Sequence, residues 1–134
     1  MKNRLLQYLL VVDAFVLFVI GLILILAPRR VEAAFHFNDL PPAVGYLIGM
    51  WGCVFVTMAI GYAVAAKDPV RHAVWVQVAI ARSVLEAIFG AVYIARGVIT
   101  FEQGGFGIIV AVVVAVAYVA LYPRGGNETA AAQT

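Results

Sequence analysis

Four long apolar runs, each about as long as a bilayer's hydrocarbon core is thick, divide this chain and limit what it can become. The first extends from about Leu5 to Ala27, the second from about Ala43 to Ala66, the third from about Val70 to Ala95 and the fourth from about Phe101 to Tyr122. A helix rises about 1.5 Å per residue, so roughly 20 residues cross about 30 Å of hydrocarbon. The runs are continuous rather than alternating, which argues against strands, and a membrane β-barrel needs at least about eight of them. Helices satisfy their own backbone groups in lipid, so the expected fold is all-α: an integral membrane bundle of four transmembrane helices. Residues 1–134 form a single membrane domain, with a polar tail over residues 125–134.

Composition excludes the alternatives. Hydrophobic residues make up 65% of the chain and charged residues 12%, and the mean hydropathy is +1.02. A soluble domain carries about 25% charged residues, so this chain cannot cover a water-facing surface and must be solvated mostly by lipid. The net charge of +2 is scattered and leaves no nucleic-acid footprint. Cys53 is the single cysteine and cannot form an internal disulfide. Lys2 and Arg4 ahead of an apolar run resemble a signal peptide, but the run far exceeds a signal core of about 7–15 residues. It reads as a retained membrane helix.

Helix-end chemistry marks the boundaries. Pro28 stops the first span, and Arg29 and Arg30 place its end at the headgroups. Asn38 and Asp39, before Pro41 and Pro42, supply a cap and preset φ angles for the second. In Lys67-Asp68-Pro69, Asp68 is expected to cap the third helix with Pro69 at its first position, which makes spans two and three an antiparallel hairpin. Gly97 suits the left-handed position after the third helix. Thr100 and Gln103 have capping-box spacing, and Pro123 ends the fourth span. Lys2, Arg4, Lys67, Arg71 and Arg124 fall on one side and Arg29, Arg30 and Arg96 on the other. That excess predicts a multi-pass protein of a bacterial inner membrane with both termini in the cytoplasm.

Small residues suggest how the helices pack, because they let backbones approach in lipid. The second span has Gly45, Gly49, Cys53, Thr57, Gly61 and Ala65 at every fourth position. The third has Ala79, Ser83, Ala87, Ala91 and Ala95, and the fourth Gly107, Ala111 and Ala115. Read as packing ridges, they bring spans two and three tightly together.

Chemistry within the spans rests on Asp13, Arg82 and Glu86. A charge at mid-span costs about 2.5–3.5 kcal/mol on insertion scales and usually faces an interior or a cavity. Arg82 and Glu86, four apart, share a helix face and can pair. Spans one and three run parallel, with Asp13 roughly 12 Å above Leu5 and Arg82 roughly 16 Å above Arg71 at about 1.5 Å per residue, so the three are expected to cluster. Tyr93, Trp75 and Ser83 lie near the same face. The cluster either fixes helix register or serves as a proton relay or as the polar end of a pocket for a quinone or lipid headgroup; both readings stay open.

Other signals are weaker. His36 and His72 lie at opposite membrane faces and cannot share one haem, and no catalytic or metal-ligating set stands out. Trp51, Trp75, Tyr8, Tyr46, Tyr62, Tyr93, Tyr118 and Tyr122 include several interface anchors. Arg29 to Phe37 (RRVEAAFHF) fits a short amphipathic turn on the membrane surface. Composition leaves the tail GGNETAAAQT disordered unless a partner protein orders it.

The pattern of four short spans, with Pro28 after the first and GYLIGMWGCVFVTMAIGYAVAAKDPVRHAVWVQVAIAR from Gly45 to Arg82, resembles small bacterial DoxX-like membrane proteins. The shared parts are a glycine-rich second helix, an Ala-Ala-basic-Asp-Pro hairpin and a charged third helix. The resemblance implies the fold; some members are linked to quinone-dependent sulfur oxidation, and it transfers no catalytic residue.

Two functions follow. The chain is a non-catalytic accessory subunit of a larger bacterial membrane complex, respiratory or photosynthetic, with lipids and other membrane subunits as partners. Small size and missing catalytic motifs favour this, and no cofactor of its own is then expected, though quinone, lipid or pigment contact is open. Alternatively it acts itself, as a quinone-linked redox subunit or a small proton-coupled carrier using Asp13, Arg82 and Glu86. The absence of a convincing internal repeat and of proline within a span counts against a carrier.

Overall fold

The computed structural model describes residues 1–35 and 41–123. Its described elements are all helical: α1 (Lys2–Leu26), α2 (Pro28–Ala34), α3 (Pro42–Lys67), α4 (Ala73–Ala95) and α5 (Phe101–Leu121). α1, α3, α4 and α5 are each long and apolar enough to cross a membrane. α2 is a seven-residue helix within the segment read as a short amphipathic turn, and Pro28 occupies its first turn. The proposed cap at Asn38 and Asp39, the histidine at His36, and the tail over 125–134 lie outside the described residues.

The loops between α4 and α5 follow their sequence. Gly97 adopts φ +70°, the Gly97 amide donates to the Ile94 carbonyl and the Val98 amide to the Tyr93 carbonyl, at 2.9 and 3.1 Å. This is the Schellman arrangement that ties off the orphan carbonyls at a helix end. Thr100 and Gln103 then form a reciprocal capping box that opens α5.

The α3–α4 hairpin differs from its sequence reading. α4 begins at Ala73 behind an N-cap at His72, not at Pro69. Asp68 instead accepts the Arg71 amide at 3.1 Å, while its carbonyl accepts the His72 amide, so it closes a separate turn ahead of the helix. The aspartate prefers this local bond to its own backbone, a known competitor of helix nucleation.

Packing also differs. The helices form two intimate pairs, α1 with α3 and α4 with α5, and α3 meets α4 only sparsely. Spans two and three are thus not tightly apposed. Where α3 and α4 are joined, the Trp75 ring occupies the space a β-carbon on Gly61 would need, and meets Tyr62 edge-on at 6.2 Å. A ring of that size holds the two backbones apart. The closest approach is between α1 and α3: a β-carbon on Gly52 would lie 2.6 Å from the Gly21 carbonyl oxygen, and one on Gly21 would lie 2.9 Å from the Gly52 oxygen.

The proposed ridges occupy interfaces only in part. On α3, Gly61 and Ala65 are buried, but Cys53 and Thr57 are exposed, no neighbour lies near Gly49, and Gly45 faces α2. On α4, Ala79 and Ser83 are buried, Ala87 is half-buried, and Ala91 and Ala95 are exposed. On α5, Ala111 is buried, Ala115 half-buried and Gly107 exposed. The cause is helical pitch: with 3.6 residues per turn, a four-residue step overshoots a full turn by about 40°. A strict four-residue ridge therefore winds from the interior to the lipid face within a few steps. Thr57, facing outward, satisfies its hydroxyl on the Cys53 carbonyl at 2.9 Å.

The buried core fills one end of the bundle, where both ends of the described chain lie. Leu6, Leu10 and Leu17 of α1 pack there with Ala59, Tyr62 and Ala65 of α3, Val76 and Ala79 of α4 and Tyr118 of α5. Gln7 to the Lys67 carbonyl and Gln77 to the Tyr122 hydroxyl fasten the rim, at 3.5 and 2.7 Å. Toward the α2 end, a cavity replaces the core.

Candidate functional site

Each long helix contributes a polar residue to one point at the base of this cavity. α1 supplies Asp13, which is 9% exposed although it is an acid in an apolar span. α4 supplies Arg82, whose Nη2 lies 3.2 and 3.3 Å from the two Asp13 carboxylate oxygens. α5 supplies Tyr118, fully buried, whose hydroxyl donates to Asp13 Oδ2 at 2.9 Å. α3 supplies Tyr62, also fully buried, whose ring centroid lies 5.6 Å from the Arg82 guanidinium carbon. That distance lies within the range of a cation–π contact.

The arrangement answers the cost of burying charge. Asp13 and Arg82 cancel each other's charge across the α1–α4 diagonal, where no backbone contact joins the helices. Tyr118 fills a remaining acceptor site on the carboxylate, and the Tyr62 ring covers the guanidinium. A buried pair holds only when such extra bonds complete it.

Three buried polar atoms nevertheless have no partner among the described residues: Arg82 Nε, Ser83 Oγ and the Tyr62 hydroxyl. Natively buried polar atoms are overwhelmingly bonded, so each needs an explanation. Two of them belong to residues that line the cavity, Arg82 and Ser83.

Glu86 stands apart from the pair. It lies one turn beyond Arg82 toward the α2 end and lines the same cavity, but among the described residues it makes no hydrogen bond or ion pair. The expected same-face pairing of Arg82 with Glu86 gives way to Asp13, whose two oxygens draw the guanidinium across the bundle. The cluster expected from sequence is therefore an Asp13–Arg82 pair, with Glu86 an unpaired neighbour.

Of the residues placed near it, Ser83 lines the cavity floor and Trp75 supports Tyr62 from behind. Tyr93 lies elsewhere: it stacks on Phe89 at 4.3 Å, 11 residues beyond Arg82, or about 16 Å along the helix. Tyr62 and Tyr118 read from sequence as interface anchors. Each sits about a turn inside its span end, where a hydroxyl lacks water and has to find a partner, and that setback was the available signal.

The cavity measures about 670 Å³. Leu17, Ile20 and Leu24 of α1 face Val110 and Val114 of α5 across it, and Trp51 and Phe55 of α3 add aromatic wall. Arg30 and Phe35 border it at the α2 end. Its sides are open: Phe106 is 76% and Trp51 62% exposed. An apolar chamber of this size ending on a few polar groups is the usual form of a small-molecule site.

No family model, curated protein or solved structure matches the chain, so none identifies a DoxX-like protein.

Proposed function

We propose that this chain is a membrane-embedded binding protein that takes an amphipathic, lipid-soluble molecule sideways from the bilayer and holds its polar head against Arg82, Ser83 and Glu86. The supporting observation is the cavity: its walls are apolar, and Arg82, Ser83 and Glu86 lie together among the residues that line it. A quinone ring and a lipid headgroup both have the required chemistry. The excess of Lys2, Arg4, Lys67, Arg71 and Arg124 over Arg29, Arg30 and Arg96 supports cytoplasmic termini in a bacterial inner membrane, with the cavity in the outer half.

The test is extraction in mild detergent, followed by mass spectrometry of the organic extract. The proposal expects a bound amphiphile near one per chain, lost in Gly107→Phe, which adds a ring to the cavity wall at a position with nothing within 4 Å. Equal lipid content in both proteins would refute it.

The same preparation tests the second assignment, a non-catalytic accessory subunit of a respiratory or photosynthetic complex, which the chain's small size and lack of catalytic motifs favour. Comigration with a large pigmented or haem-containing particle would support that role. A colourless 14.4 kDa chain or small homo-oligomer would remove it.

A further inference from the structure

The cavity's charge points to the class of its occupant. Asp13 and Arg82 pair at 3.2 Å, and Glu86 lines the same cavity with no ion pair among the described residues; Arg30, also in the lining, is not within ion-pair distance of it. A lone charge in hydrocarbon is expensive, and such residues ordinarily find a counter-charge. The charged or titratable groups around Glu86 are Arg82 on its own helix, Asp13 on α1, Tyr62 on α3, Tyr118 on α5 and, toward the α2 end, Arg30. Arg82 is committed to Asp13, and Arg30 stands at the cavity's far border, so neither cation is paired with Glu86.

The walls favour the same sign. Trp51 and Phe55 from α3, Phe106 from α5 and Phe35 from α2 line the chamber. Aromatic faces attract cations, most strongly where water is excluded. An anionic head would place a second negative charge beside Glu86, and a neutral head would leave that carboxyl without a counter-charge.

We infer that the cavity binds a lipophilic cation, an organic ammonium or phosphonium, with Glu86 as its counter-charge. This rests on the amphiphile reading above and narrows it to one chemical class. The chamber of about 670 Å³ holds roughly twenty non-hydrogen atoms if each takes the ~30 Å³ of a water molecule.

Three probes of nearly one shape but different charge test this on the full chain in detergent: tetraphenylphosphonium, tetraphenylsilane and tetraphenylborate. The expected order puts the cation about tenfold or more above the neutral probe, the equivalent of 1.4 kcal/mol, with the anion weakest. Cation affinity falls as pH is lowered. Glu86→Gln removes the preference but keeps the neutral probe, which shows that the cavity is still folded, and Glu86→Asp restores it in part. Gly107→Phe excludes all three. Equal cation binding in Glu86→Gln, or a stronger anion, overturns the inference while leaving the amphiphile reading standing. Failure of every probe to bind in a way that Gly107→Phe blocks overturns both.

Discussion

Removing Asp13 alone should be more damaging than removing Asp13 and Arg82 together. At 3.2 Å and an effective dielectric of about 20, the pair attracts by about 5 kcal/mol. Asp13→Leu deletes that attraction, leaves the guanidinium only the Glu86 carboxyl one turn away, and strips Tyr118 of its acceptor. Breaking one side of a buried pair costs about 3–5 kcal/mol, and the orphaned tyrosine hydroxyl adds about 1 kcal/mol. Arg82→Leu leaves the carboxylate behind and should cost a similar amount. In Asp13→Leu/Arg82→Leu neither charge remains, and apolar replacement of a buried pair is often neutral or stabilising. The double variant should therefore recover to within about 1–2 kcal/mol of the parent, giving a coupling of at least about 3 kcal/mol. Asp13→Asn separates the parts, since it removes the charge but keeps an acceptor for Tyr118. Equilibrium unfolding in mixed micelles, followed by circular dichroism, reads the parent and all four variants. Additive single-variant losses would refute the reasoning, because they would mean that the two side chains do not hold each other.

The remaining predictions probe packing, capping and topology. Gly52→Ala puts a methyl group against the Gly21 carbonyl and should destabilise by about 1–3 kcal/mol, whereas Gly49→Ala meets nothing and should be neutral or slightly stabilising; thermal melts of the two in one detergent decide it. Thr100→Ala breaks the capping box and should cost about 1 kcal/mol, with faster amide exchange confined to the first turn of α5. In a Cys53→Ala background, Asn3→Cys should resist a membrane-impermeant maleimide applied to intact cells, and Arg30→Cys should react. The opposite pattern would invert the proposed orientation.

Some of this protein was legible in its sequence because the causes are local. Transfer of a helix into lipid depends on its own residues summed along about 20 positions, so the four spans emerge from hydropathy alone. The ends of α4 and α5 were equally local: the Schellman turn at Gly97 and the capping box at Thr100 each involve residues a few positions apart. Asp13 and Arg82 could be placed at similar depth by counting residues from the loops, because the helix rise is constant.

Depth, however, is not direction. Which helices pair is set by how side chains interdigitate around each axis, and a four-residue ridge that turns about 40° per step does not say which part of it meets a neighbour. Only the assembled bundle decided that Gly21 meets Gly52, that Trp75 props α3 from α4, and that Tyr62 and Tyr118 reach the Asp13–Arg82 pair from the other two helices. The cavity belongs to the same class. It exists because the core fills one end of the bundle and not the other, and the parting of Glu86 from Arg82 follows from an acid on α1, 69 residues from Arg82, that competes for the guanidinium. Sequence determined which segments enter the membrane and how far in their charges lie; tertiary structure decided which of those charges is satisfied and which is left facing an open chamber.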